Sequence, residues 1–299
     1  MRWAAFTIMH APAYRWFVQN NRRLKRCFDV WYCIPNETEA QRRGVLSSDS
    51  YFINYYENFC RHHRFIRFRD RCAYCEFNRI EFIDAKYLAP PNGEYDKAEL
   101  CDMAYQQAKK DRIDYLWQID ADEWYNVDDV QDIKRAVEED DVIICNIREH
   151  KIWKNYKHLK SKFWKSNPAR IFRVLPDFKI GAHRPPFLLG DEKYECDPRR
   201  LHPIWSKLNS QVMDHFCYFD DLQVKLKSLM FKELRPNDPI YSQYYEWYKE
   251  WYVPWNGYCY YESWKYHPAQ KIIVINDKCL RDYIKEKYPE SFDFLESFV

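Results

Sequence analysis

Short apolar runs alternate with helix-like segments along the chain, and this alternation constrains the fold more than any other feature of the sequence. The chain opens with an apolar run at residues 3–9, a segment with helical spacing at 14–24 and a second strand-like run at 27–34. Because a crossover helix joins neighbouring parallel strands, the order strand, helix, strand predicts a parallel sheet. We therefore expect an α/β fold with a mostly parallel central sheet flanked by helices.

The same alternation continues to residue 174. Further strands are predicted at residues 80–84, 113–119, 142–147 and 169–174, and further helices at 95–109 and 127–137. Beyond Asp214 the pattern turns helical and aromatic, notably at 241–255, with a last charged helix at 280–288. We predict one α/β domain over residues 1–220 and a helical, aromatic-rich C-terminal extension over residues 221–299, packed on it.

Composition excludes two common means of binding phosphate groups, a strongly basic protein surface and a glycine-rich loop. Lys and Arg number 47 against 45 Asp and Glu, and a net charge of +2 creates no global field that would mark a nucleic-acid binder. Only 5 glycines occur in 299 residues, which excludes a glycine-rich phosphate loop. Any bound phosphate must therefore be held by side chains and a metal.

Export and membrane signals are also missing from the sequence. The first apolar segment, from Met1 to Val18, is interrupted by His10, Pro12 and Arg15 before it reaches the length of a secretory signal. No later apolar run has the length of a membrane span. The 11 cysteines are an odd number spread singly, which favours reduced thiols over a disulfide framework. We expect a cytoplasmic protein without a transmembrane segment.

The most informative stretch runs from Ile113 to Tyr125, where an apolar strand is followed directly by Asp120, Asp122 and Glu123. In open α/β sheets ligands bind outside the carboxyl ends of the strands, which is where these acids lie. Carboxylates one residue apart can converge on one hard cation, and Mg²⁺ or Mn²⁺ keeps positions for water and diphosphate oxygens. Such a metal neutralises the charge that develops on a departing nucleoside diphosphate. An isolated D-x-D is usually a solvated acidic turn, so it is the position after a strand that favours a metal site.

The run Asp120-Ala-Asp-Glu-Trp124, preceded by the segment 95–105 and an apolar strand, resembles the D-x-D region of family-2-like glycosyltransferases of the GT-A fold. Residues 5–10 resemble the family's first strand, and residues 33–37 fall where its second strand meets the nucleotide. The resemblance follows the order of elements over the first two-thirds of the chain, although only the acidic motif is specific. The chain departs from the family at residues 35–38, where an acidic, Ser-rich turn is often found.

This resemblance implies a hexosyl- or pentosyltransferase whose catalytic domain is GT-A-like and spans residues 1–220. Its donor would be a UDP- or GDP-sugar, and its acceptor a hydroxyl of a glycan or glycoconjugate. In the family a single in-line displacement inverts the anomeric carbon while a carboxylate takes the acceptor proton. The implied cofactor is Mn²⁺ or Mg²⁺, and no nucleic-acid partner is expected.

The resemblance also implies roles for particular residues. The metal ligands would be Asp120, Asp122 and His215, and the donor-binding residues His10, Ala11, Asn36, Lys97, Asp120 and Ala121. The acceptor or sugar pocket would hold Glu123, Trp124, Arg173 and His183. The catalytic base would be Asp191 or Glu192, with Glu123 and Asp221 as alternatives. Ordinary roles stay open for Lys97 as an exposed helix-start lysine, for His215 as a core histidine, and for Arg173 and His183 as surface residues.

Two other functions compete with sugar transfer. A zinc-stabilised nucleic-acid-binding protein is indicated by a group of potential ligands around the basic, aromatic run 61–69: Cys60, His62, His63, Cys72 and Cys75. A second C-x-x-C pair is missing from this group. A metal-dependent phosphohydrolase or nuclease would use Asp120, Asp122 and Asp214, although two-metal sites need more converging carboxylates than the sequence places together.

Overall fold

The structure is a computed structural model, and it describes residues 1–9, 13–35, 80–82, 97–154, 156–161, 168–180, 187–189, 192–194, 213–234, 237, 241–253, 261–263, 271–275 and 279–299. Several residues with a predicted role lie outside these ranges: His10, Ala11, Asn36, His183 and Asp191. The potential zinc ligands between residues 60 and 75 also lie outside them.

Fifteen strands lie in the described ranges, and six of them correspond to predicted runs. The fifteen are β1 (Trp3–Met9), β2 (Val30–Pro35), β3 (Ile80–Phe82), β4 (Tyr115–Gln118), β5 (Glu123–Tyr125), β6 (Ile144–Asn146), β7 (Glu149–Trp153), β8 (Lys157–Ser161), β9 (Ala169–Arg173), β10 (Phe178–Lys179), β11 (Phe187–Leu189), β12 (Glu192–Tyr194), β13 (Met213–Tyr218), β14 (Tyr261–Ser263) and β15 (Lys271–Ile275). The predicted strands at 3–9, 113–119 and 169–174 are therefore confirmed, to within two residues at each end.

The helices are α1 (Tyr14–Leu24), α2 (Lys97–Lys110), α3 (Val127–Glu139), α4 (Asp221–Leu234), α5 (Tyr244–Trp247), α6 (Leu280–Lys287) and α7 (Phe292–Glu296). The aromatic segment continues from α5 into a π turn at Tyr248–Tyr252. Helix α1 has the predicted ends, and the predicted helices at 95–109 and 127–137 correspond to α2 and α3. Of the helices in the described ranges, none has both the length and the apolar character needed to cross a bilayer.

The first sheet has the strand order β3-β2-β1-β4-β9-β6. Strand β1 pairs in parallel with β2 and β4, and β2 pairs in parallel with β3. Strand β9 runs antiparallel to both of its neighbours, β4 and β6. The prediction of an α/β fold with a central sheet and helices is therefore confirmed, and three of the five strand pairings in this sheet are parallel. Its assignment to the GT-A type stays a prediction.

Helices cover both faces of this sheet. Side chains of β1 alternate between two apolar clusters, with Trp3 and Ala5 in one and Ala4 and Phe6 in the other. Helices α1 and α3 contribute to the first cluster and α2 to the second. A strand buried on both faces reads as a continuous apolar run, which explains why the pattern of β1 was not an alternating one.

A second sheet has the order β14-β15-β8-β7-β13-β5. Strand β5 pairs antiparallel with β13, and β13 pairs in parallel with β7. The chain leaves the first sheet at the end of β4 and enters the second at β5, so residues 119–122 connect the two sheets. The acidic motif therefore lies at the junction of the sheets, directly after the carboxyl end of β4.

The segment after residue 220 is not helical throughout, because β14 and β15 extend the second sheet. The run Lys271–Ile275 is rich in β-branched residues, which favour strands, but the aromatic richness around it obscured this signal. Helices α6 and α7 lie in this segment, and Leu280 of α6, Leu295 of α7 and Tyr288 between them belong to the apolar cluster that also contains Trp16 of α1. The domain boundary at residue 220 stays a prediction.

Candidate active site

The connection between β4 and β5 is held in place by side chains of neighbouring elements. Thr7 on β1 donates through Oγ1 to the carbonyl of Ile119 at 2.6 Å. Trp31 on β2 donates through Nε1 to Thr7 Oγ1 at 3.0 Å, which completes a buried chain of hydrogen bonds. Asn20 on α1 donates through Nδ2 to the carbonyl of Ala121 at 3.1 Å. Because buried backbone carbonyls need such partners, the backbone of the acidic turn has a defined position.

Asp122 lies immediately before β5 and is only 6% exposed. Its carbonyl accepts a hydrogen bond from the backbone N–H of Phe216 on β13 at 2.8 Å. Its Oδ2 accepts from Nε2 of Gln223 at 2.9 Å and lies 3.5 Å from Nε2 of His215. Burial raises the pKa of Asp122, but the charge and hydrogen bond of His215 outweigh this and lower it below the usual value. The carboxylate is therefore ionised and faces the ring of His215.

The ring of His215, on β13, lies between two carboxylates. Its Nδ1 is hydrogen-bonded to Oε1 of Glu149 on β7, while its Nε2 faces Asp122. Burial lowers the pKa of His215, but Cys217, Asp122 and Glu149 together raise it well above its usual value. The structure thus brings His215 to the acidic motif, with a carboxylate on each side of its ring.

Arg170 on β9 also belongs to this cluster, although the sequence did not single it out. Its guanidinium donates to Glu123 Oε1, with Nε at 3.1 Å, and to Asp120 Oδ2 at 3.3 Å. Glu123 is fully buried, and its Oε2 accepts from the backbone N–H of Asp120 at 3.1 Å. Burial raises the pKa of Glu123, although Arg170 opposes the shift. Glu123 therefore lies beneath Asp120 as a buried support rather than on an open pocket wall.

Arg173, the arginine predicted for the pocket, lies at the other end of the same strand. It pairs in register with Tyr115 at the amino end of β4, and its side chain bonds Asp141. Because β9 runs antiparallel to β4, it is the amino end of β9, with Arg170, that lies beside the acidic turn. Knowledge of this strand direction is the signal that would have pointed to Arg170.

Trp124 and Asp214 lie opposite each other on paired strands and away from His215. They are register partners on β5 and β13, and successive side chains of a strand point to opposite faces. The Trp124 ring is fully buried and packs edge-on against Trp16, with ring centroids 5.6 Å apart. Asp214 bonds His150 on its own side, so the structure does not bring it to Asp120 and Asp122.

Three further residues with predicted roles are described only in part or stand apart. Lys97 begins α2 and Glu192 begins β12, but only their backbone is described. Asp221, an alternative base, is the exposed first residue of α4. The identity of the catalytic base stays a prediction.

A divalent cation needs several oxygen or nitrogen ligands close together, and two side chains near Asp120 meet this need. Among the described side chains, no three His, Cys, Asp or Glu residues are grouped so that they could hold a metal ion. Two do converge, because Asp122 Oδ2 and His215 Nε2 are 3.5 Å apart. Two atoms that each lie about 2.1 Å from an octahedral cation are about 3 Å from one another, which is close to this spacing.

The surroundings of this pair also fit a cation. Metal-binding histidines commonly bond a carboxylate through the other ring nitrogen, as His215 does with Glu149. Mg²⁺ often takes only one or two protein carboxylates and completes its shell with water and substrate phosphate oxygens. The carboxylate of Asp120 is instead bonded by Gln118 at 3.2 Å and by Arg170. Asp122 and His215 thus fit as the protein ligands of a cation whose remaining positions are filled by water and a bound diphosphate.

Comparison with known proteins gives limited similarity. No family model and no curated protein matches the sequence. Among solved structures, the chain is similar to TarS of S. aureus, at 10% identity with a TM-score of 0.35 over 58% of this chain and 28% of that chain. A structure of TarS 1-349 in complex with UDP is 11% identical, with a TM-score of 0.40 over 99% of this chain and 83% of that chain.

A third similar structure is core-mannan synthase A (CmsA/Ktr4) from Aspergillus fumigatus in its Mn/GDP form. It is 7% identical, with a TM-score of 0.25 over 50% of this chain and 42% of that chain. The chain thus spans 28% of the first TarS structure and 42% of CmsA.

Proposed function

We propose that this protein is a metal-dependent glycosyltransferase that moves a sugar from a nucleoside-diphosphate donor to an acceptor hydroxyl. The observation that carries the proposal is the position of the D-x-D acids. Asp120 and Asp122 directly follow the carboxyl end of β4, a strand in the parallel part of the first sheet, and His215 faces Asp122 at 3.5 Å. In open α/β sheets this edge is where ligands bind.

Each described residue of the site has a role in this proposal. Asp122 and His215 would hold Mn²⁺ or Mg²⁺, which when bound acts as a Lewis acid on the leaving diphosphate. Glu149 orients the ring of His215, since it bonds Nδ1 and leaves Nε2 directed at Asp122. Arg170 donates to Asp120 and Glu123 and so fixes their positions. Its positive charge also reduces the repulsion among the neighbouring carboxylates.

The finer parts of the proposal depend on the sequence resemblance. These are the GT-A type of fold, a UDP- or GDP-linked donor, a glycan or glycoconjugate acceptor and inversion at the anomeric carbon. Proton transfer to Asp191 or Glu192 belongs to the same group, as does donor binding by the segments that contain His10, Asn36 and Lys97.

The first test is thermal unfolding in the presence of UDP, GDP, CDP, TDP or ADP, each with and without Mn²⁺. We expect one nucleotide with Mn²⁺ to stabilise the wild-type protein by about 2.7 kcal/mol at a hundred times its dissociation constant. Asp122→Asn is expected to lose this stabilisation, because it removes the charge that faces the cation. Asp282→Asn makes the same change at an exposed position on α6 and serves as the matched control.

Retention of the full Mn²⁺-dependent shift in Asp122→Asn would contradict the metal site. If no nucleotide stabilises the wild-type protein, the donor class is wrong. The stabilising nucleotide then identifies the sugar donors to use in a transfer assay, in which release of nucleoside diphosphate must depend on an added acceptor. Metal-dependent cleavage of simple phosphodiesters without sugar transfer would favour a phosphohydrolase instead.

A further inference from the structure

Helix α4 begins directly after β13, the strand that carries His215, and runs beside the acidic turn. The carboxylate of Asp220 accepts hydrogen bonds from the backbone N–H groups of Leu222 at 2.9 Å and Gln223 at 3.3 Å. Side chains of this type satisfy the free N–H groups of a first helical turn and so define where a helix begins. The direction of α4 is therefore set close to the site, and its first two turns supply side chains to it.

Gln223 is the first of these side chains and is 5% exposed. Its Nε2 donates to Oδ2 of Asp122 at 2.9 Å, while its Oε1 has no hydrogen-bond partner among the described residues. The amide cannot be turned around, because Oε1 would then face an ionised carboxylate that only accepts hydrogen bonds. A buried acceptor without a donor is costly, so Oε1 is suited to a donor that arrives with a ligand.

Lys227 is the second side chain and lies one helical turn after Gln223. Residues four apart occupy the same face of a helix, so the face of α4 that contacts Asp122 also carries Lys227. Its Nζ lies 5.8 Å from the ring centroid of Tyr218. Burial lowers the pKa of Lys227, but the negative charge of Asp122, with a smaller contribution from Asp120, raises it above its usual value. The ammonium group of Lys227 is therefore protonated and carries a positive charge near Asp122 and Asp120.

The pairing of the surrounding cations distinguishes Lys227 from its neighbours. Arg170 and His215 each already face two carboxylates. Among the described side chains, Lys227 has neither an ion pair nor a hydrogen bond of its ammonium group. A nucleoside diphosphate brings more negative charge than one divalent cation neutralises. An ammonium group on the face of α4 that contacts Asp122, without an ion pair or hydrogen bond among the described side chains, is suited to bind the remaining negative charge.

We propose that Gln223 and Lys227 form a second wall of the donor site, in which the Lys227 ammonium binds the terminal phosphate of a nucleoside diphosphate. Gln223 Oε1 accepts a hydrogen bond from a water or hydroxyl that is held beside Asp122. This inference deepens the proposed function and depends on it. In this arrangement the leaving diphosphate makes two contacts, one with the cation held by Asp122 and one with the ammonium group of Lys227.

The test compares the binding of a diphosphate with that of a monophosphate. Dissociation constants are measured by calorimetry in Mn²⁺ for the nucleoside diphosphate that stabilises the wild-type protein and for the matching monophosphate. Lys227→Met keeps the apolar stem of the side chain and removes only the charge. Lys225→Met makes the same change two residues earlier, on a different side of α4, and is the matched control.

We expect Lys227→Met to weaken the diphosphate roughly 10- to 100-fold, the size of one lost charge-assisted hydrogen bond. The monophosphate, which lacks the terminal group, should lose far less affinity, and Lys225→Met should leave both ligands unchanged. Lys227→Arg keeps the charge and should retain most of the affinity for the diphosphate. Thermal unfolding without ligand shows whether each variant is folded, and Lys227→Gln replaces the Met variant if that one is not.

Two different failures can be told apart. If the wild-type protein binds no nucleoside diphosphate with Mn²⁺, both the proposed function and this inference are wrong. If it binds one, and Lys227→Met weakens neither ligand or weakens both equally, only the inference is wrong. Lys227 would in that case be a counter-charge for Asp122 and Asp120 and not a phosphate ligand.

Discussion

Two buried aspartates, Asp214 and Asp122, each lie beside a histidine of the second sheet, but their carboxylates differ in the number of hydrogen bonds that they accept. Asp214 is fully buried, and its Oδ1 lies 2.7 Å from Nδ1 of His150. Its Oδ2 accepts from Nζ of Lys287 at 2.8 Å and from the hydroxyl of Tyr288 at 2.7 Å. Burial raises the pKa of Asp214, but His150 and Lys287 outweigh it and bring the pKa to about 2.

Asp122 has fewer partners although it is nearly as buried. Its Oδ2 faces Gln223 and His215, while its Oδ1 accepts no hydrogen bond from the described residues. The polar groups around it show the same pattern, since Oε1 of Gln223 is also without a partner there. Both carboxylate oxygens of Asp214 thus have partners, and the group links β13 to α6. Asp122 instead keeps an oxygen that can bind a ligand.

The largest expected effect is on stability and separates the two aspartates. Asp214→Asn should lower the free energy of unfolding by about 4 kcal/mol, because it removes the buried negative charge to which Lys287 and His150 are bonded. Asp122→Asn should cost about 1 kcal/mol, because His215 keeps its bond to Glu149. Urea denaturation of both variants measures this difference.

The comparison would fail if both variants lost the same stability. It would also fail if Asp214→Asn, under conditions in which it is folded, lost Mn²⁺-dependent nucleotide binding as Asp122→Asn is expected to do. The exposed Asp282→Asn provides the baseline for both measurements.

An intermediate effect is expected from the two arginines of β9. The Arg170 side chain is 10% exposed and pairs with the fully buried Glu123, whereas the Arg173 side chain is 33% exposed and pairs with the exposed Asp141. Arg170→Met should therefore cost about 3 kcal/mol, since it leaves Glu123 buried and unpaired. Arg173→Met should cost less than about 1 kcal/mol, as is usual for surface ion pairs. Equal losses in thermal or urea unfolding would show that Arg170 is not a buried support of the acidic turn.

The smallest expected effect concerns one hydrogen bond at each aspartate. Tyr288→Phe removes one donor from Asp214 and should cost about 1.5 kcal/mol without any change in nucleotide affinity. Gln223→Met removes the donor to Asp122 but also the unpartnered Oε1, so its stability should change by less than about 0.5 kcal/mol. The same variant should weaken Mn²⁺-dependent nucleotide binding roughly 10-fold, which calorimetry detects. Unchanged binding in Gln223→Met would mean that Gln223 only fills space.

Much of the first sheet could be predicted from the sequence because its signals are local. The apolar run of β1 and the helical spacing of α1 have the predicted ends, and the strand before Asp120 ends within two residues of its predicted end. The strands of the second sheet were missed, among them β13, β14 and β15, because short strands have too little length and periodicity to be distinguished from other segments. Of the site, the sequence singled out Asp120, Asp122 and His215, since acids after a strand and a late histidine are visible as patterns.

The sequence by itself therefore determined the alternation of strands and helices, the acidic turn at a strand end and the absence of a glycine-rich phosphate loop. Only the tertiary structure decided which side chains meet that turn. The antiparallel direction of β9 brings Arg170 to the acids instead of Arg173, and the alternation along β13 directs His215 to Asp122 and Asp214 to Lys287. The position of α4 adds Gln223 to the same site. Strand direction and pairing partners are set by long-range packing, and no local residue pattern records them.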